Sequence, residues 1–239
     1  MNKIRKISKI CVRFFFLRTM HKKILSLIAL LIIAVPMLGQ GLKLQIGGGL
    51  AAHYKGTHVV GAYKGGIGYE LEFDQRWTFT PSLNYIAKGM KSPDEVVPFY
   101  DPNGNLEYDD NGNVRTGVMS RQMSANYVQM PLMVSYYLRT AESQYVVFSA
   151  GPYVAYGVSG KVETKGDTSR EGSEKMYYES PTFDQADVHR FDAGIQALIG
   201  YQFPSSLTLG IEADFGITKF NATGRNVSGL ISLSYRFGK

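Results

Sequence analysis

The sequence predicts an all-β fold, an eight-stranded antiparallel up-and-down β-barrel that spans a membrane. Apolar and polar residues alternate with a period of two in eight segments, as expected of strands with two unlike faces. The connections between these segments are short and long in turn. A basic and apolar segment of the export type precedes them. No stretch between Leu42 and Phe237 shows the 3.6-residue apolar period of a helix.

Residues 1–40 are predicted to be an N-terminal extension followed by a cleavable signal peptide, which leaves residues 41–239 as the barrel domain. The two basic residues Lys22 and Lys23 precede the apolar run 24–35, and Met20 fits as the true start. That run is shorter than the ~20 residues of a membrane-spanning helix, so an uncleaved anchor is the less favoured alternative.

The formal net charge of +6 does not indicate nucleic-acid binding, because the basic residues are unevenly spread. Eight of the 26 Lys and Arg residues lie within residues 1–40, where there is no acidic residue, so the remainder carries 18 basic and 20 acidic residues. Cys11 is the only cysteine and lies in the segment predicted to be removed. Disulfides, cysteine-based zinc sites and a thiol nucleophile are therefore not expected, and no cofactor is predicted.

The first four strands differ in length but share one pattern, in which Leu, Ile, Val and aromatic residues alternate with Gly, Ser, Thr, Gln and charged residues. They are predicted at 42–54, 63–73, 76–88 and 124–138. Their apolar rows run through alternate residues from Leu42 to Ala52, Ile67 to Phe73, Trp77 to Tyr85 and Val128 to Leu138. Each segment reaches the ~9–11 residues that a tilted strand needs to cross a bilayer.

The last four strands are predicted at 144–159, 189–203, 206–218 and the terminal stretch 226–239. Their apolar rows run from Val146 to Val158, Phe191 to Phe203, Leu207 to Ile217 and Val227 to Phe237. The fifth strand is less regular, since Val147 and Tyr153 join the row of small residues, and Leu230 interrupts the polar row of the eighth. The eighth strand must pair with the first, because a barrel in a membrane has no free edge.

The connections distinguish the two rims of the predicted barrel. Short connections at 74–75, 139–143 and 204–205 alternate with long ones at 55–62, 89–123, 160–188 and 219–225. This alternation is typical of an up-and-down barrel with plain turns at one rim and elaborate loops at the other.

A soluble, lipocalin-like barrel is the alternative, because alternation alone does not say which row faces inward. Three features favour the membrane. The polar rows consist mainly of small or amide residues, and lysines lie at strand ends, as Lys43 and Lys88 do, or in loops.

Acidic and basic residues on these rows are predicted to form a lumen charge network: Glu70, Glu72, Arg76, Arg190, Asp192, Glu212, Asp214 and Arg236. Aromatic residues near strand ends are predicted to form girdles at the membrane interface: Phe73, Trp77, Tyr85, Tyr201, Phe203, Tyr235 and Phe237.

The stretches "YVQMPLMVSYYL", "GPYVAYGVSG", "SLTLGIEADFGI" and the terminal "YRFGK" resemble the PorT-like outer-membrane β-barrel domain of Bacteroidetes. The resemblance covers all of residues 41–239. It implies an integral outer-membrane protein that is inserted by the assembly machinery reading the terminal aromatic strand, and one branch of the family is linked to a secretion system. It transfers no catalytic or ligand-binding residue.

The loop 101–116 is a candidate binding loop with an internal repeat of eight residues. The segments 101–105 and 109–113 repeat each other, and the candidate binding residues are Tyr100, Asp101, Asn103, Asn105, Asp109, Asn111 and Asn113. The Asp-x-Asn-x-Asn spacing matches the first ligands of a calcium loop, but Leu106 and Val114 occupy the position that requires glycine, and the twelfth position lacks glutamate. The sequence favours two Asn-Gly hairpin turns over a calcium site.

The predicted function is a non-enzymatic outer-membrane scaffold or secretion-associated component that contacts a protein or glycan at its long extracellular loops. A diffusion pore is less favoured, because eight strands leave no open channel. A lipid-modifying enzyme at the rim is the other alternative, with His53 and His189 near strand ends as its candidate bases, although no serine is adjacent to either.

Overall fold

The computed structural model describes residues 41–54, 57–167, 176–221 and 224–238. The predicted signal peptide lies outside these residues. No helix in the described part of the chain is long and apolar enough to cross a membrane. The described chain forms eleven strands: β1 Gly41–His53, β2 Val60–Asp74, β3 Trp77–Lys91, β4 Glu95–Pro98, β5 Thr116–Ala141, β6 Gln144–Ser159, β7 Lys161–Gly166, β8 Met176–Pro181, β9 Phe191–Gln202, β10 Leu207–Gly216 and β11 Asn226–Arg236.

Eight of these strands close into an antiparallel ring, which confirms the predicted fold class. The order around the ring is β1, β2, β3, β5, β6, β9, β10 and β11. Closure comes from the pairing of β1 with β11, in register from Lys43 opposite Arg236 to His53 opposite Asn226. Closure leaves no membrane edge along these two strands, so their backbone N–H and C=O groups are paired within the sheet.

The apolar rows face outward and the polar rows face inward, as a membrane barrel requires. Exposed outward residues include Ile46 on β1, Ile211 on β10 and Ile231 on β11. The inward rows bury small hydroxyl and amide side chains, among them Ser82 and Gln129. The soluble alternative would need the opposite arrangement.

The two long loops predicted at 89–123 and 160–188 contain strands, which corrects the sequence interpretation. β5 is 26 residues long and continues far beyond the ring. Its outer part pairs with β4 on one side and β7 on the other, and β7 pairs in turn with β8. We call this four-stranded assembly the outer sheet. From Val128 to Thr116, β5 extends by about 40 Å at ~3.3 Å per residue.

The outer half of the lumen contains an apolar core, which the sequence analysis did not predict. Ile86, Tyr127, Tyr153 and Leu230 point inward from the ring and are buried. These are interruptions of polar rows, and Tyr153 and Leu230 already stand out in the sequence. The apolar core accounts for them.

Two loop aromatics cover this core and form what we call the aromatic cap. Phe183 lies in a short 3-10 turn, Thr182–Asp184, and Phe220 lies in the loop between β10 and β11. The ring of Phe183 makes edge contacts with Tyr127 at 5.9 Å and with Phe220 at 6.4 Å between centroids. The loops therefore fold over the barrel and fill its outer end.

Gly157 on β6 makes room for the aromatic cap. A Cβ atom at this position would lie 2.1 Å from Cζ of Phe183. We expect Gly157→Ala to displace Phe183 and to lower the free energy of unfolding by about 1–3 kcal/mol, the usual cost of overpacking. Urea unfolding in detergent micelles measures this change.

The control for this variant is Gly48→Ala on β1, where an added Cβ meets nothing within 4 Å. We expect it to change the unfolding free energy by less than about 0.5 kcal/mol. Equal stability of the two variants would contradict the packing role of Gly157.

Candidate functional site: the lumen network and the outer sheet

The middle of the lumen holds two buried ion pairs linked by a glutamine. Lys64 Nζ lies 2.6 and 2.5 Å from the carboxylate oxygens of Glu212, and Lys88 Nζ lies 2.9 Å from Oδ2 of Asp214. Gln196 Nε2 donates to Glu212 at 2.6 Å and to Asp214 at 2.9 Å. These side chains come from β2, β3, β9 and β10, so the pairs cross-brace the barrel.

Above this layer, Asp192 on β9 collects hydrogen bonds below the aromatic cap. Its carboxylate accepts from the Tyr153 hydroxyl at 3.2 Å, from Thr218 Oγ1 at 2.9 Å and from Asn226 Nδ2 at 3.0 Å. Lys88 Nζ is also within 3.8 Å of it. Both carboxylate oxygens are thus satisfied within the protein.

At the short-turn end, Glu70 on β2 is the centre of a third group. It accepts from Lys43 Nζ at 3.2 Å, from Arg236 at 2.9 Å and from the Tyr137 hydroxyl at 2.8 Å. Arg236 also contacts Glu72, whose side chain is half exposed. A cavity of about 250 Å³ opens beside these residues, whereas a cavity of only about 30 Å³ lies between them and the middle layer.

The described lumen is electrically balanced, with four buried carboxylates facing four cations. The carboxylates are Glu70, Asp192, Glu212 and Asp214, and the cations are Lys43, Lys64, Lys88 and Arg236. A buried charge without a partner costs several kcal/mol, so each side chain depends on its partner across the barrel. We assign this network a structural role.

Six of the eight residues predicted for the lumen charge network lie in these groups, and two arginines do not. Arg76 lies in the exposed turn between β2 and β3, where it donates to the Tyr136 hydroxyl at 3.4 Å. Arg190 precedes β9 at the other rim, where it pairs with Asp184 at 3.6 Å and covers the Phe183 ring. Both lie beyond the ends of the spanning strands, so neither joins the lumen network.

Two lysines supply the cations that these arginines were expected to provide, and the sequence interpretation missed both. Lys88 was placed at a strand end, but β3 continues to Lys91 and Lys88 is buried. Lys64 lies on the same row as Gly66, Gly68 and Glu70. Extending the row of Gly66, Gly68 and Glu70 by one step of two residues would have placed it in the lumen.

The predicted girdle residues occupy two levels of the barrel. Six lie near the short-turn rim, where Trp77 packs against Tyr136 at 4.9 Å, Tyr201 against Phe203 at 5.1 Å, and Tyr235 against Phe237 at 4.7 Å. Phe73 is the sixth. Tyr85 lies about 26 Å farther along β3, at ~3.3 Å per residue. It shares that level with further outward aromatics outside the predicted girdle: Tyr63, Tyr156 and Phe191.

The two candidate histidines lie near the aromatic cap in different surroundings. His53 is buried, with its ring 4.8 Å from that of Phe220 and its side chain next to Asn226. His189 is exposed, and its backbone N–H donates to the Phe220 carbonyl. Neither arrangement brings a serine hydroxyl to the imidazole in the contacts described here.

The candidate binding loop forms two nearly identical hairpins beyond the end of β4. In each, an aspartate carboxylate accepts from backbone N–H groups: Asp101 from Asn103 and Asn105, and Asp109 from Asn111 and Asn113, at 2.8–2.9 Å. Gly104 and Gly112 adopt the positive φ that such turns require, at 86° and 80°. The carboxylates thus stabilise the turns.

Three backbone hydrogen bonds join the hairpins to the outer sheet. Phe99 N–H donates to Arg115, Glu107 N–H to Phe99, and Arg115 N–H to Glu107. Each hairpin exposes one cross-strand pair of a tyrosine and an aliphatic residue, Tyr100 with Leu106 and Tyr108 with Val114. No group of three or more metal-ligating side chains suited to a metal ion occurs among the described residues.

The outward face of β7 and β8 carries a ladder of charges. Glu163 lies between Lys161 at 2.5 Å and Lys165 at 2.8 Å, and these lysines hold the pKa of its carboxyl at about 2. Lys161 also reaches Glu179 on β8 at 3.4 Å. The ladder is exposed, so it contributes little to stability.

A family model described as an outer membrane protein beta-barrel domain matches residues 47–221. The chain belongs to this family. Outer-membrane β-barrels have short turns in the periplasm and longer loops outside the cell. Membership therefore places the protein in the outer membrane.

Solved structures similar to this outer-membrane barrel have low identity and low TM-scores. Ail, the attachment invasion locus protein of Yersinia pestis, in complex with the heparin analogue sucrose octasulfate, is 11% identical over 83% of this chain and 99% of its own, with a TM-score of 0.38. The outer membrane enzyme PagL is 11% identical over 82% and 99%, with a TM-score of 0.32. The comparison with curated proteins gives no match.

The buried Lys64–Glu212 pair offers a test of charge balance in the lumen. We expect Lys64→Met to lower the free energy of unfolding by about 3–5 kcal/mol, because Glu212 loses its cation. The double variant Lys64→Met/Glu212→Gln removes both charges and keeps an acceptor for Gln196, so it should regain most of that loss. Urea unfolding measures both. A double variant no more stable than the single one would contradict the charge-balance argument.

The twin hairpins should lose order in acid. Hydrogen bonds lower the pKa of Asp101 below its ordinary value of 3.8, and the largest effect comes from the backbone N–H of Asn105. The backbone N–H of Asn113 has the same effect on the pKa of Asp109. The carboxylates therefore stabilise the turns above that pH, and the contribution is lost as the pH falls through the lowered pKa.

The measurement is the chemical shift of the Asn105 and Asn113 amides during an NMR titration from about pH 5 to pH 2, a range that spans aspartate ionisation. The variant Asp101→Asn is the control, because it should abolish the transition at Asn105 alone. A midpoint above 3.8 at Asn105 would contradict the hydrogen bonding described.

Proposed function

We propose that this outer-membrane barrel is a non-enzymatic scaffold that contacts a surface ligand, a partner protein or a secretion component through its outer sheet and hairpins. The observation that carries the proposal is β5, which rises from the membrane as one strand and bears β4, β7, β8 and the twin hairpins. Long ordered extensions at the elaborated rim are where proteins of this architecture place recognition.

The contents of the lumen favour the function of a scaffold over that of a pore. Its charges are paired across the barrel, and the aromatic cap covers its outer end. Transport of solutes would require these buried pairs to separate. The contacts of buried His53 are with Phe220 and Asn226, so an enzyme that used it as a base would need substrate to reach it past the aromatic cap.

The finer assignment is also a proposal. The motifs of the sequence support a place in the PorT-like branch found in Bacteroidetes, with export through a signal peptide in residues 1–40. In that setting the outer sheet is the part of the protein available to a partner outside the cell.

Site-specific photocrosslinking in intact cells tests the surface-contact role. A crosslinking residue at Tyr108, an exposed residue of the second hairpin, should give a discrete adduct. The matched control is Ile211, which is similarly exposed but faces lipid. Failure to form an adduct at Tyr108, in a protein that still shows the heat-dependent gel shift of a folded barrel, would overturn the proposal.

Two further measurements separate the alternatives. Planar-bilayer recordings at high salt should show no steady conductance steps, and regular steps would favour a pore. Replacement of His53 and His189 by alanine should leave lipid composition unchanged, and a change in lipid acylation would favour an enzyme.

A further inference from the structure

The outer sheet ends in two strands, β4 and β8, that have a neighbour on one side only. In the described chain, β8 is the last strand on its side of the sheet and pairs only with β7. An edge strand presents unpaired backbone N–H and C=O groups, which can template pairing with another extended chain.

The pairing of β7 with β8 determines which groups of β8 are free. The N–H of Thr182 donates to Gly160 at 3.0 Å, one step beyond the pair formed by Lys161 and Pro181. In an antiparallel ladder, every second pair exchanges hydrogen bonds. The pairs Val162/Ser180 and Thr164/Tyr178 are therefore the bonded ones. The backbone groups of Tyr177 and Glu179 point away from β7, toward the open edge.

On β4, a proline occupies one of the positions whose backbone groups point to the open edge. Phe99 N–H donates to the Arg115 carbonyl at 2.9 Å, one step beyond the pair formed by Pro98 and Thr116. The outward positions of β4 are then Val96 and Pro98, and proline has no N–H. β4 thus offers one outward donor. β8 offers two, at Tyr177 and Glu179, and ends at Pro181.

The side chains along the open edge also suit a polypeptide. Tyr177 and Tyr178 lie on opposite faces of β8 and are 58% and 60% exposed. Glu179, the acidic residue between them and Pro181, accepts from the Tyr177 hydroxyl at 2.8 Å and pairs with Lys161. An added strand would therefore meet aromatic surface on both faces and a carboxylate that is already paired.

We propose that the open edge of β8 accepts an extended segment of a partner polypeptide as a further strand of the outer sheet. This inference rests on the proposed surface-contact function and specifies its partner class and binding mode. Backbone hydrogen bonds at Tyr177 and Glu179 supply affinity, and the two tyrosines favour apolar side chains at alternate positions of the segment.

Amide hydrogen exchange of the full protein in detergent micelles, followed by NMR, tests whether the edge is free. The N–H groups of Tyr177 and Glu179 should exchange rapidly, and those of Tyr178 and Ser180 slowly, because only the latter bond to β7. Slow exchange at Tyr177 and Glu179 would mean that the edge is already covered and would overturn the inference. Crosslinking at Tyr108 would then still decide the proposed function by itself.

Binding is tested with a synthetic peptide of alternating valine and threonine with a lysine at each end. It should slow exchange at Tyr177 and Glu179 on binding. A copy N-methylated at alternate residues is the matched peptide control, since it keeps the side chains and loses hydrogen-bond donors. Equal binding of the two peptides would overturn backbone pairing as the mode of recognition.

The variant Glu179→Pro removes one outward N–H and leaves the bonded pairs with β7 intact. We expect it to weaken peptide binding about tenfold, the equivalent of ~1.4 kcal/mol and of one or two hydrogen bonds. Glu179→Gln, which keeps the N–H, should bind as the parent does, and Val96→Pro on the β4 edge should have no effect. Equal weakening by Glu179→Gln, or by Val96→Pro, would overturn the inference.

Discussion

Closure of the sheet between β1 and β11 is the constraint on which the rest of the structure depends. The hydrocarbon core offers no hydrogen-bonding partner, so a spanning strand with a free edge is excluded. Closure with eight strands also fixes the lumen at a width that side chains fill. Buried charges on the inward rows therefore need partners across the barrel, and the chain supplies them alongside an apolar core in the outer half of the lumen.

The balanced charges of the lumen explain why recognition is proposed at the surface. Each carboxylate is matched by a cation or by hydroxyl and amide donors from other strands, so binding a solute would require a buried partner to be given up. The outer sheet has the opposite properties. It exposes Tyr177 and Tyr178, its charged ladder is accessible to water, and the edge of β8 offers more unpaired backbone donors than the edge of β4.

The eight ring strands were predictable because lipid and lumen impose a period of two on every one of them. The outer sheet was not, because β7 and β8 lie in water on one face and mix charged residues with tyrosine, as solvated loops do. Lys64 and Lys88 could have been placed by extending each row a few residues. The exclusion of Arg76 and Arg190 from the lumen network could not be predicted, because it depends on where each strand ends.

The continuity of β5 has a mechanical consequence. Because the twin hairpins connect β4 to β5 at the far end of the outer sheet, a pull on them acts on both strands, of which β5 is the one that continues into the ring. The strand is bonded along its length to β3 and β4 on one side and to β6 and β7 on the other. Such a force loads these ladders in shear, with many hydrogen bonds sharing the tension, rather than peeling them apart one by one. A force applied to the hairpins would therefore reach the barrel through the β5 backbone.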